Sequence, residues 1–72
     1  HTTNVNRHLG WAFVEAAHFA VRYHPEAKRY YERKRSRTNG AVATKAVAHK
    51  LARATYHVMR EGAAFEPGRA FA

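Results

Sequence analysis

Apolar residues recur along this chain at three- and four-residue intervals, in three blocks separated by two short breaks. That period belongs to the α-helix, whose successive side chains stand 100° apart. The first block covers residues 4–23, NVNRHLGWAFVEAAHFAVRY. On a helical wheel Leu9, Ala12, Phe13, Ala16, Ala17, Phe19, Ala20 and Tyr23 share one face, and Arg7, Trp11, Glu15, His18 and Arg22 share the other. Asn4 or Asn6 is the expected N-cap, because a short amide side chain accepts the free N–H groups of a first helical turn. Gly10 lowers helix propensity by ~1 kcal/mol relative to alanine, and the expected compensation is close approach of another backbone.

His24-Pro25 marks the first break. The residue before a proline is steered away from the α region, while proline itself suits the first position of a new helix. Residues 25–37, PEAKRYYERKRSR, predict a short, highly charged second helix, with Glu26 near the positive end of its dipole. Its apolar stripe is Ala27, Tyr30, Tyr31 and the aliphatic stem of Lys34.

Thr38-Asn39-Gly40 is the second break. The third helix is expected over about residues 41–61, closed by Gly62 as C-cap. Ala43, Val47, Ala48, Leu51, Ala54, Val58 and Met59 form its apolar side. Lys45, His49, Lys50, Arg53, Tyr56, His57 and Arg60 form its polar side. The tail, AAFEPGRAFA, has no period and is expected to run extended, with Phe65 or Phe71 tucked against the helices. Three helices with short connections predict an all-α, three-helix bundle with an extended C-terminal tail.

Composition narrows this picture. A chain of 72 residues makes one small domain, which buries only about 60% of its unfolded surface. Apolar residues make up 46% of it, but many are alanine, so the core is thin. There is no cysteine, which removes disulfides and thiolate zinc sites. No apolar run approaches the ~20 residues that span a bilayer, so no membrane partner is expected. Trp11 falls mid-way across the polar face of the first helix, with Val14 beside it. A tryptophan so placed points to a neighbour that covers it: another domain, another subunit or a nucleic acid.

Charge changes the picture most. Thirteen Lys and Arg face five Asp and Glu, a net charge of +8. Such an excess in so short a chain points to a polyanion. The densest run is Lys28, Arg29, Arg33, Lys34, Arg35 and Arg37, interleaved with Tyr30 and Tyr31. It reads either as a solvated helix face with core tyrosines or as a phosphate-contacting strip. The spacing of the tyrosines favours the core for them. Lys45, Lys50 and Arg53, with His49 and Arg60, make a second, sparser cationic face that can track a phosphate backbone.

Catalytic chemistry is poorly supplied. Glu15 and His18 are three apart with no second histidine to complete a metal pair, and His49 and His57 are eight apart, too far to share one ion on a helix. Ser36 is the only serine and no base is placed near it. Five scattered carboxylates do not build a two-metal nuclease centre. No catalytic residue, metal ligand or cofactor is assigned within these residues.

Three strings carry a resemblance: RHLGWAFVEAAHFAVRY (7–23), YYERKRSRTNG (30–40) and KAVAHKLARATYHVMREGAAFEP (45–67). They resemble the C-terminal end of bacterial insertion-sequence transposases that carry an N-terminal RuvC-like DEDD domain. The Leu9-x-Trp11-Ala12-x-Val14-Glu15-Ala16-Ala17 and Ala48-His49-Lys50-Leu51-Ala52-Arg53 patterns are the most specific parts, and the likeness extends to the GRAF tail. Val5 and Gly10 depart from it, standing where glycine and a basic residue are common.

The resemblance implies a C-terminal subdomain of a longer, nucleoid-associated cytoplasmic enzyme that moves DNA by cutting and rejoining strands. It implies a magnesium-holding carboxylate set in the N-terminal domain and a serine nucleophile upstream of Asn6, a position that Ser36 does not match. It implies DNA and a structured guide RNA as partners, together with the rest of the transposase and further copies of it. The residues expected at nucleic acid are Arg29, Arg33, Lys34, Arg35, Arg37, Lys45, Lys50 and Arg53, and the expected protein interface is Trp11 with Val14. The other expectation is a helical assembly module that touches no nucleic acid.

Overall fold

The computed structural model of the chain describes residues 2–72, with side chains from Gly10 onward. It is all-α: α1 spans Thr2–Tyr23, α2 Pro25–Arg37, α3 Gly40–Glu61 and α4 Pro67–Ala70. α3 is the central element. It packs most extensively on α1, then on α2, while α1 and α2 touch less. The short α4 lies against α3 and α2.

The connections follow from their residues. His24 is extended, at φ −119° and ψ 116°, as the residue before a proline should be. Its N–H donates to the Ala20 carbonyl at 2.8 Å, and its own carbonyl accepts from Lys28 N–H at 3.0 Å. One residue thus closes α1 and opens α2, and Pro25 has no N–H to leave unpaired. At the second break the Thr38 hydroxyl donates to the Lys34 carbonyl at 2.6 Å, which closes α2. Asn39 then caps α3, its Oδ1 accepting from Val42 N–H at 2.9 Å. Gly62 ends α3 at φ 67°, a left-handed conformation that glycine adopts without Cβ strain, and its N–H donates to the Val58 carbonyl at 2.9 Å.

The core is built mainly from alanine. Ala17, Ala20, Ala27, Ala43 and Ala48 are buried with Val47, Tyr30 and Phe71, and Val47 is the largest side chain excluded completely from solvent. Small side chains let helices approach closely but enclose little volume. The radius of gyration, 12.4 Å, exceeds the about 11 Å expected for a compact chain of this length, in keeping with extents of 36 × 28 × 18 Å.

Several sequence expectations are corrected here. Asn4 and Asn6 lie inside α1, which begins at Thr2, so neither is its N-cap. Only part of the apolar face of α1 is covered: Phe13, Val14, Ala17, Ala20 and Val21 meet the core, while Ala12, Ala16, Phe19 and Tyr23 stay exposed. That face is too broad for two neighbouring helices to cover, and the buried strip is shifted toward Val14 and Val21. On α3, Met59 is 80% exposed, one residue past the half-buried Val58. The tail is not wholly extended. Pro67 starts the single turn of α4, which carries Phe71 into the core at 4% exposure while Phe65 stays outside at 43%.

Gly10 is the clearest case. A Cβ added there would meet nothing within 4 Å, so no backbone approaches it. Gly10→Ala should therefore stabilise the fold by up to ~1 kcal/mol through helix propensity alone. Urea denaturation midpoints of the two proteins measure this, and a lower midpoint for the alanine variant would show that the position is crowded after all.

A candidate nucleic-acid interface

Among the described residues no charged side chain is buried, and Tyr30 is the one buried residue whose side chain carries a polar group. The basic residues are not spread evenly over the surface. Three of them meet at the ring of Tyr30, which is buried on the inner face of α2 and packs against Phe71, with ring centroids 6.1 Å apart.

Three cations approach this one ring. Arg33 Cζ and Lys34 Nζ both stand 5.8 Å from its centroid, and Lys50 Nζ stands 5.3 Å away. Arg33 and Lys34 reach Tyr30 because residues three and four further along a helix lie on the same side. Lys50 reaches it from α3, across the helix–helix contact. Each cation is attracted by the ring's negative face, an effect worth ~0.5–1 kcal/mol where water has access. The cations also repel one another. Among the described residues the one ion pair is Arg69–Glu66, at 3.7 Å and well exposed, so no carboxylate lies in bonding range of Arg33, Lys34 or Lys50.

The remaining expected contacts divide by helical geometry. Arg29 and Arg37 lie one turn before and after Arg33, so the three form a row along α2. Arg53 continues from Lys50 along α3. Arg35 falls five residues after Tyr30, about 140° round α2, and is not part of the group. Lys45 is likewise about 140° round α3 from Lys50, at the far edge of that helix's broad basic face.

Two features escaped the sequence reading. The tail folds back beside the second half of α3 and leaves a groove of about 310 Å³ between them. Lys50, Arg53 and His57 line it from α3, and Phe65, Glu66 and Arg69 line it from the tail. Pro67 at the start of α4 was the one sequence signal that the tail turns here. The second feature is the aromatic pair Phe19–Tyr23 on α1, with ring centroids 4.5 Å apart and both rings exposed. Trp11 is 66% exposed on the same helix, while Val14, expected to share an interface with it, packs against the core.

Among the described residues no three His, Asp or Glu side chains gather where they could share a metal ion. No described helix is long and apolar enough to cross a membrane. Comparison of the chain with protein-family models, with curated proteins and with solved structures gives no match.

Proposed function

We propose that this chain presents a basic surface to nucleic acid, as the C-terminal part of the transposase domain of a DEDD-type insertion-sequence transposase. The transposase assignment is supported by the three resembling strings within residues 7–67. The binding role is supported above all by Arg33, Lys34 and Lys50, converging on Tyr30 with no carboxylate within ion-pairing distance of them. Like charges gathered without an ion-pair partner favour an external polyanion. Phosphates supply that charge whatever the base sequence, so these contacts position the nucleic acid and do not read it. In this role the residues hold DNA or guide RNA in the bacterial cytoplasm, and strand chemistry with its magnesium belongs to other parts of the enzyme.

A second reading, a helical assembly module, is favoured by the exposed Trp11 and by the Phe19–Tyr23 pair. One set of measurements separates the two. Fluorescence anisotropy with a labelled DNA duplex and with a structured RNA should give affinities that fall steeply with salt, about a thousandfold between 50 and 200 mM for six phosphate contacts. Absence of salt-sensitive binding, together with a concentration-dependent dimer that Trp11→Ala dissociates, would replace the first reading by the second.

A further inference from the structure

The groove between α3 and the tail is a different kind of site from the basic row on α2. It is concave. Its floor includes the small apolar side chains of Ala54 and Val58, and the half-exposed ring of Phe65 forms part of its lining. Lys50, Arg53 and Arg69 bring positive charge to the same space, and Glu66 brings one carboxylate, in contact with Arg69. Cations beside an apolar floor and an aromatic ring suit a ligand with an anionic group attached to a flat, unsaturated body.

We propose that this groove receives one unpaired nucleotide of a single-stranded nucleic acid, with its phosphate at Lys50 and Arg53 and its base against Phe65. The inference rests on the nucleic-acid reading above and adds strand state to it. A duplex offers phosphates on a convex rod and keeps its base faces stacked inside, so it cannot fill the recess. An unpaired nucleotide offers both a phosphate and a free base face, and base–aromatic stacking tolerates any base. The volume of about 310 Å³ lies at the small end of ligand sites, which suits one nucleotide and not a helix.

Glu66 adds an acceptor. A carboxylate repels a bare phosphate but accepts hydrogen bonds from the exocyclic amino groups of adenine, cytosine and guanine. The imide N3–H of uracil and thymine can bond to it in the same way, so Glu66 offers an acceptor to any base that turns its Watson–Crick edge toward it. The same phosphate-and-base chemistry occurs in RNA and in DNA, so both belong in the test.

The test is anisotropy with labelled A-, C- and U- or T-rich single strands, as ribo- and deoxyribo-oligomers, beside a duplex of equal length. Phe65→Ala should weaken single-strand binding about tenfold and leave duplex binding unchanged. Phe65→Trp should restore it, which separates lost stacking from lost folding. If Phe65→Ala changes neither ligand, or both equally, the groove is not a nucleotide site even though the basic surface binds. Displacement of the single strand by an acidic peptide, with no response to Phe65, would assign the groove to protein instead. Loss of all salt-sensitive binding in the unmodified chain would fail the wider reading first.

Discussion

Replacing Lys34, Lys50 and Arg53 together by glutamine should weaken binding to a DNA duplex by several hundredfold at about 0.1 M salt. It should also lower the salt slope by about 2 to 3, because each phosphate contact contributes about 0.9 to that slope. The three are chosen for geometry. Lys34 and Lys50 come from different helices yet face one ring, at 5.8 and 5.3 Å, and Arg53 lines the groove beside Lys50. Glutamine keeps much of each aliphatic stem, so the packing of the half-buried Lys34 and Lys50 is largely retained. Removing like charges from one neighbourhood relieves repulsion, which offsets the lost cation–π attraction to Tyr30, so the melting temperature should change little while binding falls. That contrast separates the prediction from simple destabilisation. The comparison is Arg35→Gln combined with Lys45→Gln, which removes charge from the far sides of α2 and α3. Those two changes should cost several-fold at most. Equal loss per charge in the two variants would mean that net charge alone drives association and that the Tyr30 group is no site.

The division between legible and illegible features follows from what each depends on. The breaks between the three long helices and the end of α3 were legible because local chemistry sets them: Pro25 cannot continue α1, Asn39 supplies an acceptor for Val42 N–H, and Gly62 adopts a positive φ. The strip of α1 that is buried was not. Ala12 and Ala16 are the same residue type as Ala17 and Ala20, and only the position of α2 and α3 decides that the second pair is covered. The same holds for charge. Arg33, Lys34 and Lys50 were visible as cations on two helices, but their meeting at Tyr30 is a tertiary fact. Phe71 was half legible. Its apolar character gave it a reason to be buried, but Phe65 had the same reason, and only the turn begun at Pro67 chooses between them. Four helical residues are too few to leave a period in the sequence.

Val47→Ala should cost about 2–3 kcal/mol, the largest loss of stability from any single conservative change in this core. Two buried carbons contribute about 0.8 kcal/mol each, and the cavity they leave adds to that. The cavity term should be near its upper range, because the surrounding core is largely alanine: Ala17, Ala20, Ala27 and Ala48 share the cluster with Val47. Alanine has no side-chain rotamer with which to swing into a void, so collapse would require whole helices to shift. A single core of this size supplies only ~3–5 kcal/mol in all. The change therefore removes about half of it and should lower the melting temperature by about 10–20 °C. Met59→Ala gives the reference, since it deletes a longer side chain from the same helix at an exposed position, where changes stay within about 0.5 kcal/mol. Thermal circular dichroism of the three proteins decides the matter. Equal melting temperatures for the two variants would mean that α3 turns a different face to α1 and α2. In that case Lys50 would no longer point toward Tyr30, and the grouping of cations on which binding rests would fall with the core.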